Sequence, residues 1–262
     1  MNTTAPIVVA GGSSAAGIAV ASALVSAGFP VITVGSDAGR IGAAAALTGG
    51  AVPRVCDLAD PAAVQELADT VRRGYGAAGG LIHLVGGWRG GKSLSAQVDA
   101  DWDFLHRSVL TTLRNTSRAF YDDIGAHANG RIAIVSSTAV TSPTPGNANY
   151  AAVKAAAETW VMALAAGLAA DAVVGAAAGE LLPSGGLATA DAGATTAQAA
   201  RAGDGPAAVV LVVKALVDDA MRAASPERKF PGFTDVAALG QTVVGLFSTP
   251  AGQLNGARIV LN

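Results

Sequence analysis

The sequence predicts a three-layer α/β/α fold: a doubly wound parallel β-sheet with helices on both faces. Short apolar runs without alternation recur along the chain, and most are followed by a stretch of helical composition. Such runs suit strands buried on both faces, and helical crossovers between parallel strands provide that burial. Of the 262 residues, 51% are hydrophobic, enough to close one large core, so residues 1–262 are expected to form a single domain.

The first strand is Ile7–Ala10, followed by a helix over Ala15–Ala27. Val31–Val34 and Val52–Cys56 are the next two strands. Asp60 followed by Pro61 is a cap with proline at the first helical position, which starts a helix running to Tyr75. Leu81–Val85 and Ile132–Val135 read as strands, and Ala151–Ala170 as a helix. Between Ser184 and Pro206 the chain is rich in Gly, Ala and Thr without a period, and Pro206 to about Ala224 reads as a helix. Residues 184–224 are therefore expected to be a substrate loop or lid over the ligand crevice. A helix over Asp235–Leu246 and a strand over Ala257–Leu261 close the chain.

Charged residues make up only 14% and the net charge is −2, which leaves no basic stripe for neutralising phosphates and argues against nucleic acid as a partner. Cys56 is the one cysteine, so neither an internal disulfide nor a cysteine-based zinc site is expected. The apolar runs are interrupted before the ~20 residues of a membrane span, and no basic segment precedes Ile7. A cytoplasmic protein without a membrane partner is the expectation. His83, His106 and His127 lack ligand spacing, so no metal is assigned, and His83 reads as a core residue. Trp102 and Trp160 read as packing residues, whereas Trp88 follows a glycine pair at a strand end, where it can line a pocket.

Three groups of residues carry chemistry. The first strand runs into a turn that holds Gly11, Ser13, Ser14, Ala16 and Gly17, and glycines there let backbone N–H groups approach a phosphate at the start of a helix. The second strand ends at Gly35-Ser36, with Asp37 and Arg40 following, and the third leads to Asp57-Leu58. Asp57 reads equally as a helix-capping carboxylate. Finally, Tyr150 and Lys154 stand four apart at the head of a helix, hence on one face, and an ammonium close to a phenol favours the phenolate. Ser137 lies at the carboxyl end of the strand before them, where open α/β sheets bind ligands.

The spacing of the glycine turn and of Ser137, Tyr150 and Lys154 resembles the short-chain dehydrogenase/reductase family, over Ile7 to about Ala170. The resemblance implies a Rossmann-type fold and hydride transfer between a nicotinamide cofactor and a ketone or secondary alcohol on a small apolar substrate. It makes Tyr150 the general acid/base, Lys154 the residue that holds the nicotinamide ribose and lowers the tyrosine pKa, and Ser137 the hydroxyl that polarises the carbonyl. It implies cofactor contacts along the glycine turn, at Gly35, Ser36, Asp57 and Leu58, at Val85, Gly86 and Gly87, and at Gly179 and Leu181 near the nicotinamide amide. Without an acid at Gly35, NADP(H) is preferred, with NAD(H) also admitted.

The chain departs from the family at four places. Ala15 replaces the middle glycine of the turn, and Leu84-Val85-Gly86-Gly87 replaces Asn-Asn-Ala-Gly. Val109 stands where a relay asparagine is usual, and Ala178-Gly179 with Pro183-Ser184 replaces the Pro-Gly and threonine that cradle the amide. The Gly-Gly-Trp-x-Gly-Gly run after the fourth strand is similar to the dihydropteridine-reductase-like branch, whose acid at the Gly35 position is absent here. These departures keep open a non-redox alternative, an isomerase, dehydratase or cyclase on the same fold, or a cofactor-poor member. The family's habit of pairing through the tyrosine-bearing helix implies a homodimer or homotetramer.

Overall fold

In the computed structural model the described residues are 5–180 and 205–261, of which 174–180 are described as backbone only. Seven strands form one parallel sheet: β1 (Ile7–Ala10), β2 (Val31–Gly35), β3 (Val52–Val55), β4 (Gly80–His83), β5 (Arg131–Ser137), β6 (Ala207–Val213) and β9 (Arg258–Val260). Their order is β3-β2-β1-β4-β5-β6-β9, so the sheet is wound outward in both directions from β1 and β4. The crevice at the carboxyl ends of β1 and β4 is the switch point where such sheets bind ligands.

Helices α1 (Ala15–Ser26), α8 (Val236–Leu246) and α9 (Ala251–Leu254) cover one face, burying Val20, Leu24, Leu239, Val243 and Leu254 against Ile7, Val9 and Leu211. Helices α3 (Pro61–Tyr75), α5 (Thr112–Gly125) and α6 (Ala148–Glu180) cover the other, placing Val64, Leu113, Phe120, Val153, Val161 and Leu168 against Val8, Leu81, Ile132 and Val210. Alternate residues of the five inner strands β2, β1, β4, β5 and β6 thus feed opposite cores, which is why those strands read as continuous apolar runs, whereas the edge strand β3 is half exposed. The short helix α2 (Ala38–Ala46) starts at Asp37, whose carboxylate accepts from Arg40 N at 2.8 Å, and α3 starts at Asp60 with proline in its first turn.

Three expectations need correction. Pro206 to Ala224 is helical only over Asp219–Ala224: Ala207–Val213 is β6, with every residue buried, between β5 and β9 in the sheet. Helix α6 does not end near Ala170 but continues to Glu180, and the helical stretch Pro145–Val173 is long and apolar enough to cross a membrane by length and composition, contrary to the expectation of early interruption. In this structure that helix packs a face of Val153, Ala157, Val161, Leu164 and Leu168 into the core. The proposed loop residues before Gly205 lie outside the described residues.

Beyond β6 the chain forms β7 (Leu216–Val217), α7 (Asp219–Ala224) and β8 (Thr234–Asp235), with β7 and β8 pairing in a small separate sheet. Arg222 of α7 pairs with Asp235 of β8 at 2.9 Å. Before α5, helix α4 (Asp99–Leu105) passes into a π-helical turn, His106–Thr111, that contains Val109. A π-bulge inserts one residue into helical register and commonly marks a functional site.

Candidate active site

Two adjoining cavities, about 720 and 500 Å³, lie over the carboxyl ends of the central strands. Ser14, Leu84, Val85 and Gly86 line both, so they form one cleft running across the β1–α1 turn. Gly11 in that turn has φ +85°, and an added Cβ would come within 2.9 Å of the Val85 nitrogen. Only glycine permits both that backbone and that approach. Gly17 is buried beneath the turn, packed on the backbone of Gly11 and Gly12, and supports the cleft without lining it. Ser14 is committed to capping α1: its hydroxyl donates to Gly11 O at 2.9 Å and accepts from Gly17 N at 3.0 Å. Ala15 and Ala16 line the larger cavity at the first turn of α1, where backbone N–H groups have no helical partner.

The smaller cavity brings together Gly11, Ser13, Gly35, Ser36, Asp57 and Leu58, as expected, and adds Arg40 and Arg107. Asp57 lines the cleft, accepts from Ala59 N in the following turn (2.9 Å) and pairs with Arg107 (2.8 Å); the helix cap is Asp60, so the helix-capping reading of Asp57 is corrected. A Cβ on Gly35 would meet the Ile41 side chain at 3.3 Å, so Ile41 would have to give way to an acidic side chain there. Arg40 is left largely exposed, 3.8 Å from Asp37.

The larger cavity holds Ser137, Tyr150 and Lys154 with Ala16, Gly86 and Gly87. Ser137 ends β5, and its Oγ accepts from Ala139 N at 3.1 Å. Tyr150 shares a side-chain hydrogen bond with Ser137; burial nevertheless keeps the phenol above its ordinary pKa, and the Ser137 bond only offsets this. The expected lowering of the phenol by Lys154 is therefore corrected. The ammonium lies 5.9 Å from the Tyr150 ring centre and donates to Val135 O at 2.9 Å. Burial brings Lys154 itself down to about 8, against a smaller upward pull from Glu158. Val109 is buried in the π-turn, so no side-chain donor or acceptor stands at the relay position.

His83 is buried under this site, between Thr112 Oγ1 (3.1 Å) and Thr116 Oγ1 (3.2 Å). Burial, helped by the Lys154 charge, brings its pKa to about 3 and keeps the ring neutral. Cys56 is a buried thiol pushed up to about 11 by burial and neighbouring carboxylates, which leaves it unreactive. Among the described residues, no group of His, Cys, Asp and Glu has the arrangement of a metal site. Trp88 is 63% exposed and lines the larger cavity, whereas Trp160 Nε1 donates to Ser117 Oγ at 3.0 Å as a packing residue.

Of the expected cofactor contacts, Gly179 lies in the last turn of α6, and Leu181 lies outside the described residues. The segment after β6 lines the larger cavity with Lys214, Ala215, Asp218 and Met221. The signal that would have found it is in the sequence: Val209, Val210, Val212 and Val213 are β-branched, a composition that favours strand over helix.

Residues 5–183 match the short chain dehydrogenase family, and the chain belongs to it. The chain is 28% identical over 148 residues to the 3-oxoacyl-(acyl-carrier-protein) reductase FabG of Escherichia coli K12, a match covering 56% of this chain and 60% of that relative's length. Among solved structures, an NADPH-bound short chain oxidoreductase of Pseudomonas aeruginosa PAO1 containing an atypical catalytic center has a TM-score of 0.76 at 19% identity, covering 98% of this chain and 95% of that one. A short chain dehydrogenase of Burkholderia cenocepacia J2315 in complex with NADP gives 0.70 at 22%, covering 100% and 98%. The two share the fold of this chain.

Proposed function

We propose that the protein is an NAD(P)(H)-dependent oxidoreductase, NADP(H) preferred, acting between a ketone and the matching secondary alcohol of a small apolar molecule. The observation that carries this reading is the meeting of Ser137, Tyr150 and Lys154 in one cavity that adjoins the glycine turn. The residues present fit a dinucleotide. The cradle at Gly11 is closed to any Cβ, first-turn N–H groups of α1 face the cleft, and Arg40 and Arg107 supply positive charge beside Ser36.

When bound, the nicotinamide supplies or accepts the hydride. The chain's own residues do the rest. Ser137 can turn its hydroxyl proton from Tyr150 to the substrate oxygen while its Oγ keeps accepting from Ala139 N. Tyr150, held above its ordinary pKa, is protonated near neutrality and acts as the acid that completes an alcohol. Lys154 spends one N–H on Val135 O and keeps two donors for the cofactor ribose. Leu84, Val85, Leu216, Val217, Met221 and Trp88 supply apolar wall beside Lys214 and Asp218, and this apolar part favours an apolar substrate.

The test is loss of NADPH absorbance with a panel of apolar ketones, run beside cofactor binding. NADPH binding without turnover of any ketone or alcohol would favour a non-redox role, which Val109 and Ala15 motivate. Arg40→Ala is expected to weaken NADPH by roughly tenfold, one charge-assisted hydrogen bond, with little change for NADH, as read by fluorescence titration. Equal losses for both nucleotides would remove Arg40 from phosphate recognition. A homodimer is part of the proposal: Ala152, Ala156, Ala163 and Ala166 form an exposed face of α6 that allows a second helix close approach, and sedimentation measures it.

A further inference from the structure

Glu158 stands one turn beyond Lys154 on α6, and Arg258 lies on β9, a hundred residues later. Arg258 Nε donates to Glu158 Oε2 at 3.0 Å, and its Nη2 donates to the main-chain carbonyl of Ser137 at 3.3 Å. The two side chains are 12% and 28% exposed, so this is not a solvated surface pair. The second carboxylate oxygen, Glu158 Oε1, is buried without a hydrogen-bond partner among the described residues. A buried carboxylate is costly unless its charge is used, and a half-satisfied one more so. One guanidinium therefore joins the strand end that carries Ser137 to the helix that carries Tyr150 and Lys154. Neither residue is in the triad, and neither lines the cleft.

We propose that Glu158 and Arg258 are a positioning pair for the catalytic site: Arg258 fixes the main chain at Ser137 and holds Glu158 where its charge sustains the Lys154 ammonium. Among the described residues, the charged and titratable groups around Lys154 are few. Tyr150 and Glu158 lie on its own helix, neutral His83 on β4, and Arg258 on β9, while Lys214 and Asp218 line the same cavity from the segment after β6. Asp218 is occupied in capping α7 through Met221 N at 2.7 Å. Glu158 is thus the carboxylate that opposes the effect of burial on Lys154, in agreement with the upward pull it exerts there. The sign follows. Removing the Glu158 charge lets Lys154 lose its proton at lower pH, and a neutral lysine no longer supports the site.

The inference rests on the proposed dehydrogenase reading, so its test uses one readout that needs no turnover. The pH dependence of acylation of the Lys154-bearing peptide, followed by mass spectrometry, reports when that amine loses its proton. For Glu158→Gln the midpoint is expected to fall by roughly half a pH unit to one unit, and the alkaline limb of kcat/KM to fall with it. Arg258→Lys, which keeps a cation for Glu158 but has no second donor arm for Ser137 O, is expected to leave that midpoint in place and lower kcat more than it changes KM. An unchanged acylation midpoint in folded Glu158→Gln overturns the proposal, as does a wild-type kcat in Arg258→Lys. Should Glu158→Gln fail to fold, Glu158→Ala with a lowered midpoint supports the pair, and a wild-type midpoint in that variant overturns it. A shifted midpoint in a protein that turns over no ketone or alcohol upholds the coupling and counts against the reaction assigned.

Discussion

Tyr150→Phe is expected to lower kcat by roughly 10²–10⁴-fold while leaving NADPH affinity within about twofold of wild type. The substitution removes one oxygen and keeps the ring, so the packing of Tyr150 beside Lys154 and on the core persists. What is lost is the one ionisable hydroxyl that the cavity holds, together with its hydrogen bond to Ser137. Steady-state rates with a reactive ketone, beside a fluorescence titration of NADPH, separate the two effects. A variant that turns over at the wild-type rate would take Tyr150 out of the acid/base role. A variant that loses cofactor binding would show that the phenol is a binding group instead.

The second large effect concerns the sheet beneath the site. Arg131 begins β5, is 1% exposed, and donates to four main-chain carbonyls: Leu246 and Thr249 at 2.8 Å, Gly205 at 2.7 Å and Gly130 at 2.8 Å. The guanidinium thereby ties the strand that ends at Ser137 to the end of α8 and to the entry of β6. Arg131→Met keeps the apolar stem but strips donors from carbonyls that burial keeps from water, so a loss of roughly 3–5 kcal/mol is expected. Exposed pairs such as Arg40–Asp37 are worth at most about 1 kcal/mol. Urea unfolding checks the value, and a loss under about 0.5 kcal/mol would mean that water satisfies those carbonyls.

The parallel sheet was legible because strands buried on both faces leave an uninterrupted apolar run, as in Ile7–Ala10 and Ile132–Val135. The start of α3 was legible because a carboxylate cap and a proline in the first turn mark it, at Asp60 and Pro61, whereas the equally capped α2 at Asp37 was not read. The triad could be read from spacing since four residues on a helix fix a shared face, and a strand end fixes Ser137. Position 179 was read as part of the amide cradle with α6 ending near Ala170, whereas the helix continues through it to Glu180. Gly167 within that helix faces Tyr121 of α5, so it is a packing glycine and not a stop. The π-turn at His106–Thr111 inserts one residue without altering composition, and the Glu158–Arg258 contact joins positions a hundred apart. Neither leaves a local trace.

The central claim is that the cleft over β1 and β4 binds a nicotinamide dinucleotide beside Ser137, Tyr150 and Lys154. The most direct measurement is titration of the intact protein with NADPH and with NADH, followed by fluorescence and by thermal unfolding. The account predicts saturable binding of NADPH, tighter than NADH, and a stabilisation of about 2.7 kcal/mol at a hundred times Kd. No saturable binding of either nucleotide and no change in unfolding would contradict it.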